Sequence, residues 1–271
     1  MADADALRDA GVPAIPVTPG STPPPEAAPP TAPDGSVMTL IDHLGELRTR
    51  LFRSIFAVAI TSTIGFLFVA TPIRNTLINL LPLKPNGEHA TVQTLGLGDA
   101  FVIQLKISIV FGIIVAMPIL LYQLWAFIAP GLTPSEKKTA RPWIPLALLF
   151  FAIGVAIAYV VLPYATNFLL AFNDEYLVEG VAAGPFFEFV TTMFLAFGLI
   201  MEFPIVMVGL SRVGILTSER LSSSRRMIIL GIAIFSAVAT PGGDLVSPTV
   251  LGVTMYILFE LTIIAIRRSG K

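Results

Sequence analysis

Long stretches of apolar residues are the feature of this sequence that most restricts its fold. A helix needs about 20 residues to cross a hydrocarbon core about 30 Å thick, and most of the stretches approach or exceed that length. A transmembrane β-barrel would instead show alternating segments of about ten residues. We therefore predict an all-α integral membrane protein with six transmembrane helices. The predicted spans cover approximately residues 54–70, 107–129, 143–172, 186–210, 227–239 and 246–266.

The composition supports a membrane protein and argues against a soluble one. Hydrophobic residues make up 55% of the 271 residues and charged residues 13%, against about 25% charged residues in soluble domains. The mean hydropathy is +0.82. A soluble fold of this size would leave much of that apolar surface exposed to water.

The fifth stretch is too short to cross a membrane of ordinary thickness. Its roughly 13 residues span about 20 Å at 1.5 Å per residue, and the tight turn Thr240–Asp244 follows directly. We predict a hairpin of the fifth and sixth spans, in which the short first arm leaves the membrane locally thin or filled with water.

Basic residues predict the orientation, because lysine and arginine favour cytoplasmic segments. Of the 17 basic residues, all but Arg74, Lys84 and Lys106 fall on one side of the six predicted spans. Both termini are therefore predicted to be cytoplasmic. Residues 1–37 contain nine prolines, are acidic and lack the apolar core of a signal peptide. We predict a disordered cytoplasmic tail there, followed by a membrane domain over residues 38–268.

Several classes of activity lack the residues that they need. The chain has no cysteine, and its two histidines, His43 and His89, lie far apart in sequence. That leaves little material for a metal site or a Ser-His triad. No P-loop motif is present. We therefore predict no enzymatic activity, no cofactor and no bound metal.

Glu202 is the strongest anomaly within the predicted spans. A charged carboxylate at the bilayer centre costs about 2.5–3.5 kcal/mol on insertion scales, so its side chain should meet protein, water or a polar partner. It either ties two helices together as a neutral acid or anchors a substrate or partner helix. Glu260, about two turns before Arg267, is equally open between a helix–helix hydrogen bond and a functional role. Tyr122 and Gln123 are predicted to pack and to form hydrogen bonds within the bundle.

Two further acids lie on the predicted cytoplasmic rim. Glu46 precedes Arg50 by four residues on an amphipathic helix over residues 39–53, where the two side chains can form an ordinary surface ion pair. Glu136 ends the string TPSE, which is typical of a helix capping box. Spacing alone favours these structural roles. The same two carboxylates could also form a seat for a cationic ligand.

The strings around these acids resemble the TatC family, the multispanning subunit of the twin-arginine protein translocase. The similarity covers about residues 38–268. The matching strings are HLGELRTRL at residues 43–51, MPILLYQLWAFIAPGL at residues 117–132 with Glu136 after it, FGLIMEFP at residues 197–204, and Thr240, Pro241 and Asp244. The turn TPGGD is one residue longer than the commoner TPPD of the family, and Pro248 stands where relatives often have a polar residue.

The resemblance implies a fold and a function. TatC-like proteins form a concave, glove-shaped bundle of six helices with short fifth and sixth helices and both termini in the cytoplasm. They recognise the twin-arginine signal peptides of folded proteins at the cytoplasmic face of the bacterial plasma membrane. They assemble with the single-span proteins TatA and TatB and with further copies of themselves. Export is driven by the protonmotive force.

The resemblance also implies roles for particular residues. Signal-peptide binding is assigned to Glu46 and Glu136, accompanied by Arg48, Phe127, His43 and Leu44. Glu202 is assigned to partner-helix contact or to organising the concavity. The short last two helices, with Thr240 near their turn, are expected to dock the helices of TatA or TatB, and Glu260 is a further candidate for partner contact.

The main alternative is a proton-coupled secondary transporter in which Glu202 carries the proton. That function requires a closable polar path through the bundle. Many such transporters are built from two related halves, and the sequence shows no duplicated set of three spans.

Overall fold

The computed structural model describes residues 40–82, 92–131, 133, 137, 143–172, 180–212, 216–240 and 243–268. Two sequence predictions lie outside these residues, namely the disordered tail over residues 1–37 and the placement of Glu136. Nearly all of the described chain is helical, as predicted.

The described residues form nine α-helices and two short strands. A π-helical turn, Gly65–Val69, joins the first two helices, and a 3-10 turn, Ala129–Gly131, follows the third. The helices are α1 Leu40–Ile64, α2 Ala70–Ile78, α3 Asp99–Ile128, α4 Trp143–Leu170, α5 Ala183–Ile200, α6 Phe203–Arg212, α7 Ser218–Ser223, α8 Arg225–Ala239 and α9 Val246–Arg268. The strands are β1 Val92–Gln93 and β2 Val181–Ala182.

The predicted fold class is confirmed. Among the described residues, five helical units are long and apolar enough to cross a membrane, and α8, with 15 residues, is the short helix predicted before the last span. The five units are Asp42–Ile78, Asp99–Gly131, Trp143–Leu170, Ala183–Ser211 and Val246–Arg267.

The predicted fourth span is interrupted rather than continuous. Helix α5 ends at Ile200, a turn follows at Met201 and Glu202, and α6 begins at Phe203. Pro204 explains the break, because it has no amide hydrogen to donate to a carbonyl one turn earlier. The backbone oxygen of Glu202 accepts hydrogen bonds from the amides of Ile205 and Val206, each at 3.1 Å.

The helices approach closely where small residues face each other, as is common in membrane bundles. In α3, a Cβ at Gly112 would lie 2.7 Å from the backbone nitrogen of Ser62 in α1. In α4, a Cβ at Gly154 would lie 2.9 Å from the Cα of Gly198 in α5. The Thr61 hydroxyl in α1 also donates to the Gly112 carbonyl at 2.8 Å.

The two strands pair in parallel, with Val92 opposite Val181 and Gln93 opposite Ala182. Because β1 precedes α3 and β2 precedes α5, the pair holds the starts of these two helices together. Lys106 and Glu188 form a further ion pair between the helices at 3.2 Å. We call this end of the bundle the strand end, and we call the opposite end, where α1, α4 and α8 begin, the basic end.

Candidate functional site

The start of α1 meets the end of α3 at the basic end. The imidazole of His43 stacks on the ring of Phe127, with ring centroids 4.4 Å apart and an angle of 14° between the planes. Close by, Nη1 of Arg50 lies 3.4 Å from Oε1 of Gln123. His43, Glu46 and Arg50 share one face of α1 because they are three and four residues apart. We call these five residues the α1–α3 rim.

Glu46 is already engaged by an arginine of its own helix. Nε of Arg50 donates to Oε1 of Glu46 at 2.9 Å, and Nη2 of Arg50 donates to the same oxygen. Both side chains are about one-fifth exposed, at 19% for Glu46 and 20% for Arg50. The ion pair that the spacing of four residues predicted is therefore present.

The second oxygen of Glu46 has a different environment. Oε2 is buried and forms no hydrogen bond within the described part of the chain. It lies 3.9 Å from Nδ1 of His43, whose ring is held by Phe127. A guanidinium thus lies on one side of the carboxylate and the stacked rings lie on the other.

The structure gathers some of the predicted signal-peptide residues and separates others. His43, Glu46 and Phe127 meet at the α1–α3 rim. Leu44 is 64% exposed, and Arg48 lies over the ring of Phe52 at 5.8 Å from its centroid. Since these side chains lie about 100° or more around α1 from His43, they do not belong to the same surface as Glu46.

Glu136 itself lies outside the described residues, so its predicted place beside Glu46 stays a prediction. The 3-10 turn after Phe127 leads to Thr133, whose carbonyl accepts a hydrogen bond from the amide of Lys137 at 2.9 Å.

Glu202 lies in the turn between α5 and α6, and only 8% of its surface is exposed. Its Oε1 is buried and has no hydrogen-bond partner among the residues that the structure describes. Both interpretations of this residue, a tie between two helices and an anchor for a substrate or partner helix, stay predictions.

Thr240 and Asp244 bracket the turn between α8 and α9. The Thr240 hydroxyl donates to the Ser236 carbonyl at 2.8 Å, and Thr240 is 6% exposed. Oδ1 of Asp244 accepts a hydrogen bond from the amide of Ser247 at 2.5 Å, which caps the start of α9. These bonds give both residues a structural role at the turn.

Glu260 forms a hydrogen-bonded ion pair, one of the two roles left open for it. Nη2 of Arg225, the first residue of α8, lies 3.1 Å from Oε2 of Glu260 in α9. Arg267, the nearest basic residue along the sequence, instead donates to the hydroxyl of Ser222 at 2.8 Å.

Arg50 and Gln123 are rim residues that the sequence did not assign to signal binding. The spacing of Glu46 and Arg50 indicated their pairing, but nothing along the chain linked Arg50 to Gln123, which is 73 residues away. Within the described ranges, no group of three His, Cys, Asp or Glu residues is arranged to hold a metal ion.

Comparison with known proteins places these features in a family. The family described as Sec-independent protein translocase protein (TatC) matches residues 42–253. Proteins of that name from Carboxydothermus hydrogenoformans and Azotobacter chroococcum are 33% and 36% identical to this chain. The first alignment covers 83% of this chain and 91% of the relative, and the second covers 83% and 87%.

Two solved structures are also similar. The crystal structure of the twin arginine translocase receptor TatC has a TM-score of 0.71 and 32% identity, covering 84% of this chain and 100% of that one. A second structure of that receptor, in the detergent DDM, has a TM-score of 0.72 and 34% identity, covering 83% and 99%. These similarities support protein translocation and not the alternative of a proton-coupled transporter. The match over residues 42–253 and the identity above 30% along most of each relative show that this chain belongs to the TatC family of Sec-independent protein translocase proteins.

Proposed function

We propose that this protein is the signal-peptide receptor of a twin-arginine translocase and that Glu46 and Glu136 bind the two signal arginines. The observation that carries the proposal is the α1–α3 rim, which presents a carboxylate beside stacked rings at the basic end. The related crystal structures are named as receptors of that translocase. We further propose export of folded proteins with TatA and TatB partners, driven by the protonmotive force.

The chemistry of arginine fits a site built from carboxylates. A guanidinium presents a planar fork of donors that matches a carboxylate, and a lysine ammonium does not reproduce that geometry. An exposed pair contributes only about 0–1 kcal/mol, so two pairs give selectivity rather than tight binding. Burial of the apolar part of the signal peptide in the membrane supplies the remaining affinity.

Charge supports an orientation with the basic end in the cytoplasm of the bacterial cell. Among the described side chains, Arg74 and Lys106 are the basic residues toward the strand end, and the remaining ones lie at the basic end. Because positive charge accumulates in cytoplasmic segments, the α1–α3 rim faces the compartment where signal peptides are made. Since α1 begins and α9 ends on that same side, we propose that both termini are cytoplasmic.

Glu46→Ala and Glu136→Ala are each expected to weaken signal-peptide capture about fivefold, the equivalent of ~1 kcal/mol. A peptide with a photocrosslinker beside its arginine pair measures capture by the membrane-inserted protein, against a matched peptide with two lysines. Glu219→Ala removes an exposed acid from α7 and is expected to leave crosslinking unchanged. Unchanged crosslinking in both Glu46→Ala and Glu136→Ala would contradict the proposal.

We propose that Glu202 contacts partner helices and that Thr240 and Glu260, which lie in the same half of the chain, contribute to that contact. Glu202→Ala is expected to lower co-purification of the single-span partners severalfold and to leave membrane insertion intact, because the buried Oε1 has no partner within the described chain. Glu188→Ala, which removes an exposed acid of α5, is the control. Wild-type partner crosslinks in Glu202→Ala would return this residue to a purely structural role.

A further inference from the structure

The carboxylate proposed to receive a signal arginine already binds an arginine. Two nitrogens of Arg50 donate to Oε1 of Glu46, while Oε2 is buried and lies next to His43. Because Oε2 is buried, an incoming guanidinium competes with Arg50 for Oε1 of a side chain that is 19% exposed. Displacement of Arg50 frees the oxygen that this arginine now occupies.

We infer that Arg50 is an internal competitor that occupies Glu46 until a signal arginine displaces it, and that Gln123 receives the displaced guanidinium. This inference rests on the proposed function of Glu46 as a signal-arginine site. The positions of the groups support the exchange, since Nη1 of Arg50 already lies 3.4 Å from Oε1 of Gln123. The guanidinium already donates to both acceptors, so it can leave Glu46 and keep its bond to Gln123.

Competition from Arg50 lowers the affinity for a ligand by a factor that depends on how much of the protein has a free Glu46. When only a fraction of the protein is competent to bind, the apparent dissociation constant is the intrinsic constant divided by that fraction. Arg50 makes the free Glu46 carboxylate a minor species, so weak cationic segments do not occupy the site. A signal peptide overcomes the competition because its apolar segment adds binding energy from the membrane.

The competitor acts on the ligand-free protein, which gives the inference a specific signature. Removal of Arg50 raises the competent fraction by the same factor for every ligand of Glu46. Peptides with two arginines and peptides with two lysines should therefore gain affinity equally, and the preference for arginine should not change. A residue that contacts the bound peptide would alter that preference instead.

The test compares Arg50→Gln with Arg53→Gln in the full-length protein, reconstituted in lipid nanodiscs. Arg53 is an exposed residue of the same helix, so the control removes the same charge without opening Glu46. Binding of a fluorescent peptide carrying two arginines, or two lysines, is measured by anisotropy. We expect Arg50→Gln to bind both peptides about fivefold more tightly than the wild type does, and Arg53→Gln to change binding by less than about twofold.

Arg50→Lys keeps the positive charge but replaces the fork by a single ammonium. We expect it to tighten binding about twofold, which provides a second measurement if Arg50→Gln does not fold. A gain in Arg50→Gln no larger than that in Arg53→Gln, or weaker binding in both Arg50 variants, would overturn the inference.

Gln123 and Glu46 give two independent checks. Gln123→Leu is expected to weaken binding about threefold in the wild-type background and to have no effect when combined with Arg50→Gln, because no guanidinium then needs an acceptor. An equal loss in both backgrounds would show that Gln123 contacts the peptide and would overturn its role as acceptor.

Glu46→Gln separates the two proposals. Wild-type binding in Glu46→Gln contradicts the signal site itself. Weakened binding in Glu46→Gln without a gain in Arg50→Gln contradicts only the role of Arg50 as competitor.

Discussion

Replacing Gly154 with leucine is expected to prevent α4 from packing against α5, and little folded protein should be recovered. A Cβ at this position would lie 2.7 Å from Cγ of Met201 and 2.9 Å from Cα of Gly198. Overpacking of a core typically costs about 1–3 kcal/mol where side chains can adjust. Here the nearest atoms include backbone, so the helices themselves must separate, and we expect a loss above that range.

The matched control is Gly209→Leu in α6, because a Cβ at Gly209 meets no atom of the described residues within 4 Å. Both variants add the same side chain to a helix that crosses the membrane. Size-exclusion profiles in mild detergent and thermal unfolding distinguish them: Gly209→Leu should behave as the wild type, and Gly154→Leu should aggregate or melt well below it. A wild-type profile for Gly154→Leu would mean that α4 and α5 do not pack through these glycines.

Features that depend on residues close together in the chain could be predicted from the sequence. Apolar stretches gave the helices and the short α8, because helix length and hydrophobicity are local properties. The pairing of Glu46 with Arg50 followed from a spacing of four residues in a helix. Pro204 carried the signal for the break in the fourth span, because a proline bends a helix or starts one.

Contacts between distant parts of the chain could not be predicted in the same way. The π-helical turn has no local sequence signal. It occurs where Gly65 lies so close to Phe111 that a Cβ at Gly65 would be 2.7 Å from Cδ1 of that ring. At the same place, Nε2 of Gln104 donates to the Phe66 carbonyl at 3.1 Å. The parallel strand pair joins segments 89 residues apart, Val92 with Val181. Such features arise only after the helices have packed.

The candidate site shows the same division. The strings around residues 43–51 and 117–132 pointed to Glu46 and Phe127, but the stacking of His43 on Phe127 and the approach of Arg50 to Gln123 required the packed α1 and α3. For Glu260, the sequence left a helix–helix hydrogen bond open without naming a partner, and the structure pairs it with Arg225 of a different helix. The two residues meet because α8 and α9 run in opposite directions, which brings the start of α8 beside the end of α9.

Reversing the charge of Arg225 is expected to destabilise the hairpin of α8 and α9. Helix α8 has only 15 residues, so its insertion in the membrane contributes less than that of a full span. The ion pair of Arg225 with Glu260 fixes its first residue to α9. Arg225→Glu would place two carboxylates side by side, and because the side chains are 42% and 28% exposed, we expect a loss of about 1–2 kcal/mol, below the 3–5 kcal/mol of a fully buried pair.

The double variant Arg225→Glu with Glu260→Arg restores opposite charges and should recover at least half of that loss, measured as the midpoint of thermal unfolding in detergent. Arg226→Glu makes the same charge change at the adjacent exposed residue and controls for the field of the basic end as a whole. If Arg226→Glu destabilised the protein as much as Arg225→Glu, or if the double variant gave no recovery, the loss would reflect net charge rather than this pair. Recovery confined to the swapped pair would show that a single contact between α8 and α9 sets the position of the short helix.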